Sequence, residues 1–493
     1  MKRITAMLLA VLMVLGLFTA CGGKTPENTA PADPLQNQGA DDGMEQFPTL
    51  IWYQVGKGQP ANYDTWQAKV NAYLEERLGI HLDVRVIPWG DWGNLRSVIV
   101  QKNEPYDLMF TDMSTYTSDV KMGAFADLTD LMAEVPGLTD LIPGPYLSAC
   151  KVGGRLYGIP CYKDSSMTNF FVWTKSHVDA YFPGYTEAHT LQQIDAGLRA
   201  INAGQNAANG GAGGTGLRLN QDGLSCIIGN KYDACTLGSI GIGIAYDGGT
   251  EFVSVFEQPD VLADLEQLQK WMEDGLINSD AAILPDADGM CSVSVAQGWP
   301  SAAGSWSESR GEEVVVSQFE NTVVSNDTVL GSITCIAKSS EHKLEALKLL
   351  ELVNTDRTLR DMLWYGEEGV NFEYVEEDGT RKVQKLAERW DMAAYTQGTF
   401  FVATPEVGSN GYREVKRQNE NAILSPAFGF IPDTTGIRGE INAVSAVFEE
   451  YKSLIMTGTC GQEEIDSMLS DMRAAGFDTI LREINAQYTA WKE

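Results

Sequence analysis

Positive charge is scarce in this chain. Its 493 residues include 36 Lys and Arg against 67 Asp and Glu, which gives a formal net charge of −31 at pH 7. A surface of this charge repels nucleic acids and anionic lipid headgroups, so we expect no nucleic acid among its partners. Acidity of this kind also keeps a large protein soluble, and that is the interpretation we favour.

Histidine and regularly spaced cysteine are also rare. The four histidines are widely scattered, and neither an H-E-x-x-H motif nor a C-x-x-C pair occurs. We therefore expect no metal site and no cofactor. Seven of the eight cysteines follow Cys21, and most of them should be buried thiols. Cys226 and Cys235 are the one pair that we would test for a disulfide.

Long apolar runs are absent after Cys21. The one clear run lies from Met7 to Phe18, follows Lys2 and Arg3, and ends in small residues just before Cys21. This pattern is typical of a secretory signal with a lipoprotein cleavage site, so we predict a signal peptide over residues 1–20 and a lipid on Cys21. Ordinary secretion with cleavage elsewhere is the alternative.

The segment after the predicted lipid site has the composition of a tether. Residues 21–46 contain three prolines among Asn, Gln, Asp and Gly, with few large apolar side chains. Such a segment cannot recover its ordering entropy by burial, so we predict a flexible linker. The linker would hold the folded body at the extracytoplasmic face of the cell membrane, where a membrane partner is met at high effective concentration.

Alternating strand and helix patterns organise the start of the folded body. The runs from Thr49 to Val55, Ile80 to Ile87 and Tyr106 to Phe110 have the length and apolar character of buried strands. Between the first two runs, apolar residues recur at helical spacing and stop at Gly79. The order predicts an α/β fold with a doubly wound sheet, whose ligand crevice lies beyond the carboxyl ends of the strands.

Helical spacing returns later in the chain. It runs from Val261 to Met272 and from Leu344 to Val353, and three further helices are predicted between residues 441 and 491, separated by Gly458 and Gly476. With 44% hydrophobic residues, 11 Trp, 18 Tyr and 17 Phe, the chain has enough core material for two or three domains.

Four segments occur in a recognisable order. They are YDLMFTDMSTYTSDVKMGAFADLTDLM (106–132), GGRLYGIP (153–160), AQGWPSAAGSW (296–306) and the stretch from GSITCIAK to MLWYG (331–366). Together they resemble the family 1 extracellular solute-binding proteins of the maltose-binding type. The closing stretch from SPAFGFIPDTTGIRGEI (425–441) onward resembles a subgroup of oligosaccharide-type ABC transporter lipoproteins that carry a C-terminal domain of unknown function.

The chain departs from the subgroup pattern in residues 365–372. Where the subgroup usually has Y-G-I-E-G-x-H-Y, this chain has YGEEGVNF, with Asn371 in place of the usual His. Any role of that His is absent here, so the ligand is expected to differ accordingly.

The resemblance implies a periplasmic-binding-protein-like fold in which two lobes, each a doubly wound sheet flanked by helices, are joined by a hinge. The chain should leave the first sheet near Pro160 and re-enter it near Thr334. We assign lobe 1 to residues 47–160 plus 333–395, and lobe 2 to residues 161–332 plus 396–493.

The resemblance also implies a function. A cleft that closes between two lobes is a binding device, so we expect a substrate-binding lipoprotein of an ABC importer that captures an extracellular oligosaccharide or related sugar. It would deliver the solute to permease subunits, which must be separate chains, and it should be a monomer without catalytic activity. A receptor for peptides or another solute and a secreted glycoside hydrolase are the alternatives, because paired carboxylates could lie unseen among 67 acidic residues.

Sugars present apolar C–H faces and a rim of hydroxyls, so their sites combine aromatic rings with carboxylates and amides. Trp299, in the turn that the family places beside its ligand, is the first candidate, with a core position as the alternative. The other candidates are Trp89, Trp92, Asp91, Asp112, Tyr116, Tyr53, Gln59, Lys163, Asp164 and Trp364. Capping of the next helix is the alternative for Asp112 and Tyr116, and a surface ion pair is the alternative for Lys163 with Asp164.

Overall fold

A computed structural model describes residues 47–210, 214–238, 240–287, 289–390 and 392–493. The predicted signal peptide, Cys21 and the predicted linker lie outside the described residues. Within the described ranges, no helix has both the length and the apolar character needed to cross a membrane.

The strands of the described residues are β1 Thr49–Gly56, β2 His81–Pro88, β3 Leu108–Thr111, β4 Lys151–Val152, β5 Arg155–Leu156, β6 Gly158–Pro160, β7 Met167–Thr174, β8 Tyr232–Asp233, β9 Ile242–Ala245, β10 Val253–Ser254, β11 Val293–Gln297, β12 Val314–Val324, β13 Ile333–Ile336, β14 Phe372–Glu377, β15 Thr380–Lys385 and β16 Ile423–Leu424.

The α-helices of the described residues are α1 Tyr63–Leu78, α2 Trp89–Lys102, α3 Tyr116–Met122, α4 Pro136–Leu141, α5 Gly144–Ala149, α6 Lys175–Tyr181, α7 Leu191–Ala208, α8 Cys226–Gly229, α9 Pro259–Glu273, α10 Ala303–Arg310, α11 Asn326–Val329, α12 Lys343–Thr355, α13 Arg357–Tyr365, α14 Arg413–Asn421, α15 Arg438–Met456, α16 Gln462–Ala474 and α17 Phe477–Lys492. Short 3₁₀ turns connect several of them.

The first sheet has the strand order β2-β1-β3-β13-β6. β1 is parallel to β2 and β3, because α1 and α2 return the chain between them. The helix α1 forms because Trp66, Val70 and Leu74 recur at helical spacing and are buried against this sheet. It ends at Gly79, whose positive φ of 64° lets its N–H bond to the carbonyl of Leu74.

The hinge is built from adjacent antiparallel strands. In β13, Ile333 pairs with Pro160 of β6, and Thr334 pairs with Ile159. The other side of β13 pairs with β3, where Thr334 faces Phe110. The predicted exit near Pro160 and return near Thr334 are therefore neighbouring strands of one sheet, and the two-lobed α/β fold class is confirmed.

The second sheet has the order β11-β7-β12-β16. Its central strand β7 is antiparallel to both β11 and β12, and β12 pairs in parallel with β16. This pairing differs from the doubly wound sheet expected for the second lobe. Phe170 to Trp173 of β7 are all buried, since helices and loops cover both faces.

Each sheet has its own large core. The first lobe is the body whose core joins α1, α12 and α13 to the first sheet. The second lobe is the body whose core joins β7, α7 and α9 to the carboxyl-terminal helices. Val444 and Phe448 of α15, and Ile480, Ile484 and Tyr488 of α17, belong to this second core. The three helices predicted at the end of the chain are thus present.

The predicted boundary at residue 395 lies too early. Thr404 donates its backbone N–H to Asp361 Oδ1 at 2.7 Å, and Val407 donates to the carbonyl of Val383 at 3.0 Å. Residues 396–407 therefore pack with α13 and the β14–β15 hairpin of the first lobe, and the passage to the second lobe follows them.

The suggested disulfide is also absent. Cys226 and Cys235 are both free thiols, and the Cys235 Sγ donates to the carbonyl of Phe430 at 3.2 Å. Burial raises the pKa of Cys235 well above its usual range, so this thiol stays protonated and behaves as a core residue.

Candidate functional site

A cavity of about 760 Å³ lies beside the chain crossings between the two lobes. Its walls come from three places: the segment after β6, the turn after β11, and the stretch from the end of α13 to the start of α14. The lining residues are Lys163, Asp164, Trp299, Trp364, Tyr365, Asn371, Lys385, Leu386, Glu388, Arg389, Trp390, Met392, Ala394, Tyr395, Phe400 and Tyr412. Volumes of this size are typical of small-ligand sites.

Aromatic rings line the cavity from both lobes. Tyr412 is in contact with Trp299 of the second lobe at a centroid distance of 5.8 Å, and with Phe400 and Trp364 of the first lobe at 4.7 and 5.9 Å. Tyr412 has φ of +59°, a left-handed conformation that is uncommon for a residue with a side chain. Such residues cluster at ligand sites, where the surrounding structure holds them. Tyr412 is the ring that connects the two lobes.

An ion pair stands at the rim. Lys163 Nζ lies 2.6 Å from Asp164 Oδ1. These two residues thus form the ion pair that was given as the alternative to ligand binding. Both nevertheless line the cavity, and the Lys163 ammonium also lies 5.9 Å from the ring centroid of Tyr395. Asn419 of α14 donates to the Lys163 carbonyl at 2.5 Å and fixes this crossing. Charged side chains held this way can donate and accept hydrogen bonds with sugar hydroxyls.

Asn371, which replaces the usual His of the subgroup, is part of the cavity wall. Its Oδ1 accepts from Asn62 Nδ2 at 2.8 Å and from the backbone N–H of Glu367 at 2.9 Å. Its Nδ2 donates to the Glu388 carbonyl at 3.3 Å. The amide therefore ties α1, the turn after α13 and the 386–390 segment together, and it shapes this wall of the cavity.

The phenol groups of the cavity keep their protons. Burial, then the charges of Glu406 and Asp164, raise the pKa of Tyr412 to about 12. Burial and Asp164 also raise the pKa of Tyr395. Both hydroxyls are therefore neutral at physiological pH and available as donors and acceptors. Among the described residues, no group of three or more His, Cys, Asp or Glu side chains is placed to hold a metal ion.

The structure brings together four of the predicted site residues: Trp299, Trp364, Lys163 and Asp164 all line the cavity. Trp89 lies just outside it, with its ring parallel to that of Tyr395. Asp91 is exposed in the first turn of α2 and is not among the lining residues.

The remaining predicted residues have structural roles. Tyr116 is fully buried and its hydroxyl donates to the Cys150 carbonyl, while Trp92 is buried against Phe110. Tyr53 is buried, and its hydroxyl accepts from Arg85 at 3.1 Å.

The side chains of two polar candidates form hydrogen bonds with the backbone. The Gln59 amide donates to the Val84 carbonyl at 2.9 Å and accepts from the Val86 N–H at 3.0 Å, along β2. Asp112 accepts from the Ser114 N–H at 2.9 Å, which stabilises a turn. The N-cap residue of the next helix is Thr115, so the capping role given as the alternative for Asp112 is not the one observed.

A segment from far along the chain lies at the strand end where the ligand crevice was predicted. Ala393 donates its N–H to the Val55 carbonyl at 3.1 Å, and Thr396 donates to Gln54 at 3.0 Å. Residues 392–396 therefore cover the carboxyl end of β1, where the strand-end rule placed the crevice. Met392, Ala394 and Tyr395 of this segment line the cavity.

Sequence reasoning missed Trp390, Tyr395, Phe400 and Tyr412. They lie between the β14–β15 hairpin and α14, in a stretch without strand or helix periodicity. A signal was present, because large aromatic side chains concentrated in an irregular segment need either a core or a ligand to cover them.

The profile of the bacterial extracellular solute-binding protein family matches residues 57–358. A second profile, a domain of unknown function (DUF3502), matches residues 426–493. This second match covers the three carboxyl-terminal helices and the segment before them. Both agree with the resemblance found in the sequence.

A carbohydrate ABC transporter substrate-binding protein of Streptococcus pneumoniae serotype 4 is 26% identical to this chain, over 97% of this chain and 96% of that protein. The crystal structure of the N-glycan transport solute binding protein NgtS from Streptococcus pneumoniae aligns with a TM-score of 0.78 at 24% identity, covering 90% and 98% of the two chains. The same protein in complex with Man5GlcNAc aligns with a TM-score of 0.64.

A solute-binding protein from Bifidobacterium longum infantis, described as binding HMO and associated with an ABC transporter, aligns with a TM-score of 0.63 at 16% identity. It covers 90% of this chain and 99% of that chain. At these identities the structural similarities establish the fold.

Proposed function

This chain belongs to the family of bacterial extracellular solute-binding proteins, and we propose that it captures an oligosaccharide in the cavity between its lobes and delivers it to an ABC importer. The family places its members outside the cytoplasm. The carbohydrate-specific part of the proposal rests on the lining of the cavity and on the relatives described above.

One observation carries the proposal: Trp299, Tyr412 and Trp364 form a continuous set of rings across the cavity, with a phenol in the middle. The faces of pyranose rings are apolar and stack on aromatic side chains, while their hydroxyls need donors and acceptors at the edges. Lys163, Asp164 and the neutral Tyr412 hydroxyl supply such groups. Because the rings come from both lobes, a sugar held between them would favour the closed arrangement of the lobes.

Capture without chemistry is part of the proposal. The carboxylates among the lining residues are Asp164 and Glu388, and Asp164 is already paired with Lys163. Glycoside cleavage requires two carboxyl groups, one of which is protonated. The arrangement of Asp164 and Glu388 does not support such a pair. The protein would therefore bind its solute and release it unchanged to separate permease subunits.

Attachment to the membrane is the remaining part. We infer a lipid on Cys21 from the amino-terminal sequence alone. A monomer tethered in this way samples the space near its permease at high effective concentration. Replacement of Cys21 by Ala should release the protein from the membrane fraction into the medium, and retention in that fraction would contradict the lipid anchor.

The central experiment is calorimetric titration of the mature protein with a panel of glycans, including Man1GlcNAc as a short ligand and Man5GlcNAc as a long one, and with peptides. One-to-one binding without released sugars supports the proposal. Release of smaller sugars would identify a hydrolase instead, and binding of peptides alone would identify a different receptor. W299A should lower glycan affinity, whereas W491A, which removes a surface indole of α17, should not.

A further inference from the structure

We propose that Trp89 and Tyr395 form an outer sugar subsite at the mouth of the cavity, by which this protein selects glycans long enough to extend out of it. The inference rests on the proposed function and adds the length of the ligand to it. Its occupant is a further ring of the same glycan chain whose inner rings lie in the cavity.

Tyr395 is exposed on a segment that is otherwise buried. From residue 392 to 400 it is the single exposed side chain, with 43% of its surface accessible. Beneath it, the buried Arg360 donates from Nη2 to the carbonyls of Ala394 and Gly398 at 2.9 and 3.1 Å. The segment is therefore held firmly, and the exposed phenol is presented by a rigid support.

Trp89 is presented in the same manner by the first lobe. It is the first residue of α2, and 46% of its surface is accessible. The ring of Phe110, at the end of β3, packs edge-on against it at 5.9 Å and 85°. An indole supported from behind and open in front is suited to contact with an apolar ring face.

The two rings lie next to each other. Their planes are parallel within 12°, with centroids 6.4 Å apart. Tyr395 also lines the cavity, so the surface is continuous with the inner site. The Lys163 ammonium, 5.9 Å from the Tyr395 ring, supplies a hydrogen-bond donor beside it. Parallel aromatic rings with a polar group close to them match the pattern by which the inner cavity would hold a sugar.

The surface could instead contact a membrane partner, since Leu95 and Val98 farther along α2 are also exposed. A docking surface for a partner leaves the affinity for free glycan unchanged, whereas a sugar subsite does not. The two occupants are therefore distinguished by titration of the isolated mature protein.

The experiment compares W89A and Y395A with wild type on Man1GlcNAc and Man5GlcNAc, the short and long ligands of the panel above. Each substitution should weaken binding of the long glycan about tenfold. W89A should leave binding of the short glycan unchanged, because Trp89 does not line the inner cavity. Y395F keeps the ring face and should retain the preference for length. W491A is the matched control, because Trp491 is also 46% exposed and stacks on a tyrosine, far along α17.

Equal affinities of wild type and W89A for the long glycan would overturn the inference, as would an equal loss for both lengths. Absence of glycan binding by wild type would overturn the proposed function itself, so the two failures are distinguishable. Thermal unfolding of each variant, expected to match wild type because both side chains are exposed, checks that a changed affinity reflects the missing ring.

Discussion

The guanidinium group of Arg360 lies against the indole ring of Trp364, one helical turn later on α13, with its central carbon 4.6 Å from the ring centroid. Its Nε donates to the Thr399 carbonyl at 2.8 Å. One buried cation thus supports both an aromatic wall of the cavity and the segment that presents Tyr395. Burial lowers the pKa of Arg360 to about 10, so the group remains charged at neutral pH.

Replacement of Arg360 by Met should destabilise the protein by about 3–5 kcal/mol, because the carbonyls of Ala394, Gly398 and Thr399 would lose their buried donor. Urea denaturation measures the loss. R360K keeps the charge but reaches fewer carbonyls, so its loss should be smaller. Unchanged stability of R360M would show that the segment is held by other contacts.

Replacement of Trp299 by Ala should weaken binding of both short and long glycans tenfold or more, since the ring stands in the inner cavity. Calorimetric titration gives the two affinities. This pattern contrasts with that expected for W89A, which affects the long glycan alone. An affinity of W299A equal to wild type would remove this ring from the site.

Stability should fall as pH rises through neutrality because of Asp327, at the start of α11. Burial, and after it the charge of Asp233, raise the pKa of Asp327 from 3.8 to about 7. Between about pH 4 and 7 the folded state keeps a proton on Asp327 that the unfolded state has lost. The stabilisation of the folded state by this proton is therefore complete below pH 4 and is lost as pH rises through 7. The expected slope is at most about 1.4 kcal/mol per pH unit.

Measurement of unfolding free energy from pH 4 to 8 tests this, with D327N as the comparison. Asp233, Cys235 and Tyr246 surround the carboxyl group, and none of them is cationic. D327N should lose this part of the pH dependence and be at least as stable as wild type at pH 8. Identical pH profiles of the two proteins would contradict the assignment.

Replacement of Gly158 by Ala should disturb the hinge. A Cβ there would lie 2.5 Å from Ile333 Cγ2 and 2.8 Å from Cys335 Sγ, both on β13. A loss of about 1–3 kcal/mol is expected from this overpacking. G439A is the matched control, because the site is helical and no atom outside the neighbouring backbone of its own helix lies within 4 Å of the added methyl group. Calorimetric unfolding should separate the two, and equal midpoints would show that β13 can shift.

Much of the fold could be predicted from local sequence. The helix α1 follows from the spacing of Trp66, Val70 and Leu74 and the stop at Gly79, because one buried face and one positive φ suffice to define it. The hinge followed from a resemblance rather than from periodicity. β6 and β13 are short, and their pairing joins residues that are distant in sequence.

The lining of the cavity was predicted less completely, because its residues also come from distant parts of the sequence. Resemblance and aromatic character pointed to Trp299 and Trp364, and both line the cavity. The strand-end rule pointed to Gln59 and Asp112, which the backbone occupies instead. The segment that covers the end of β1 comes from beyond residue 390, and the sequence of β1 does not indicate that contact. The ring of Tyr395 was missed because irregular segments have no period to detect.

The packing of α17 has a consequence for biosynthesis. Tyr488 packs edge-on against Phe252 at 5.4 Å, and its hydroxyl donates to the Pro426 carbonyl at 3.0 Å. A nascent chain therefore lacks part of the hydrophobic interior of its second lobe until residue 488 has left the ribosome. The core of that lobe can therefore be completed only at a late stage of translation.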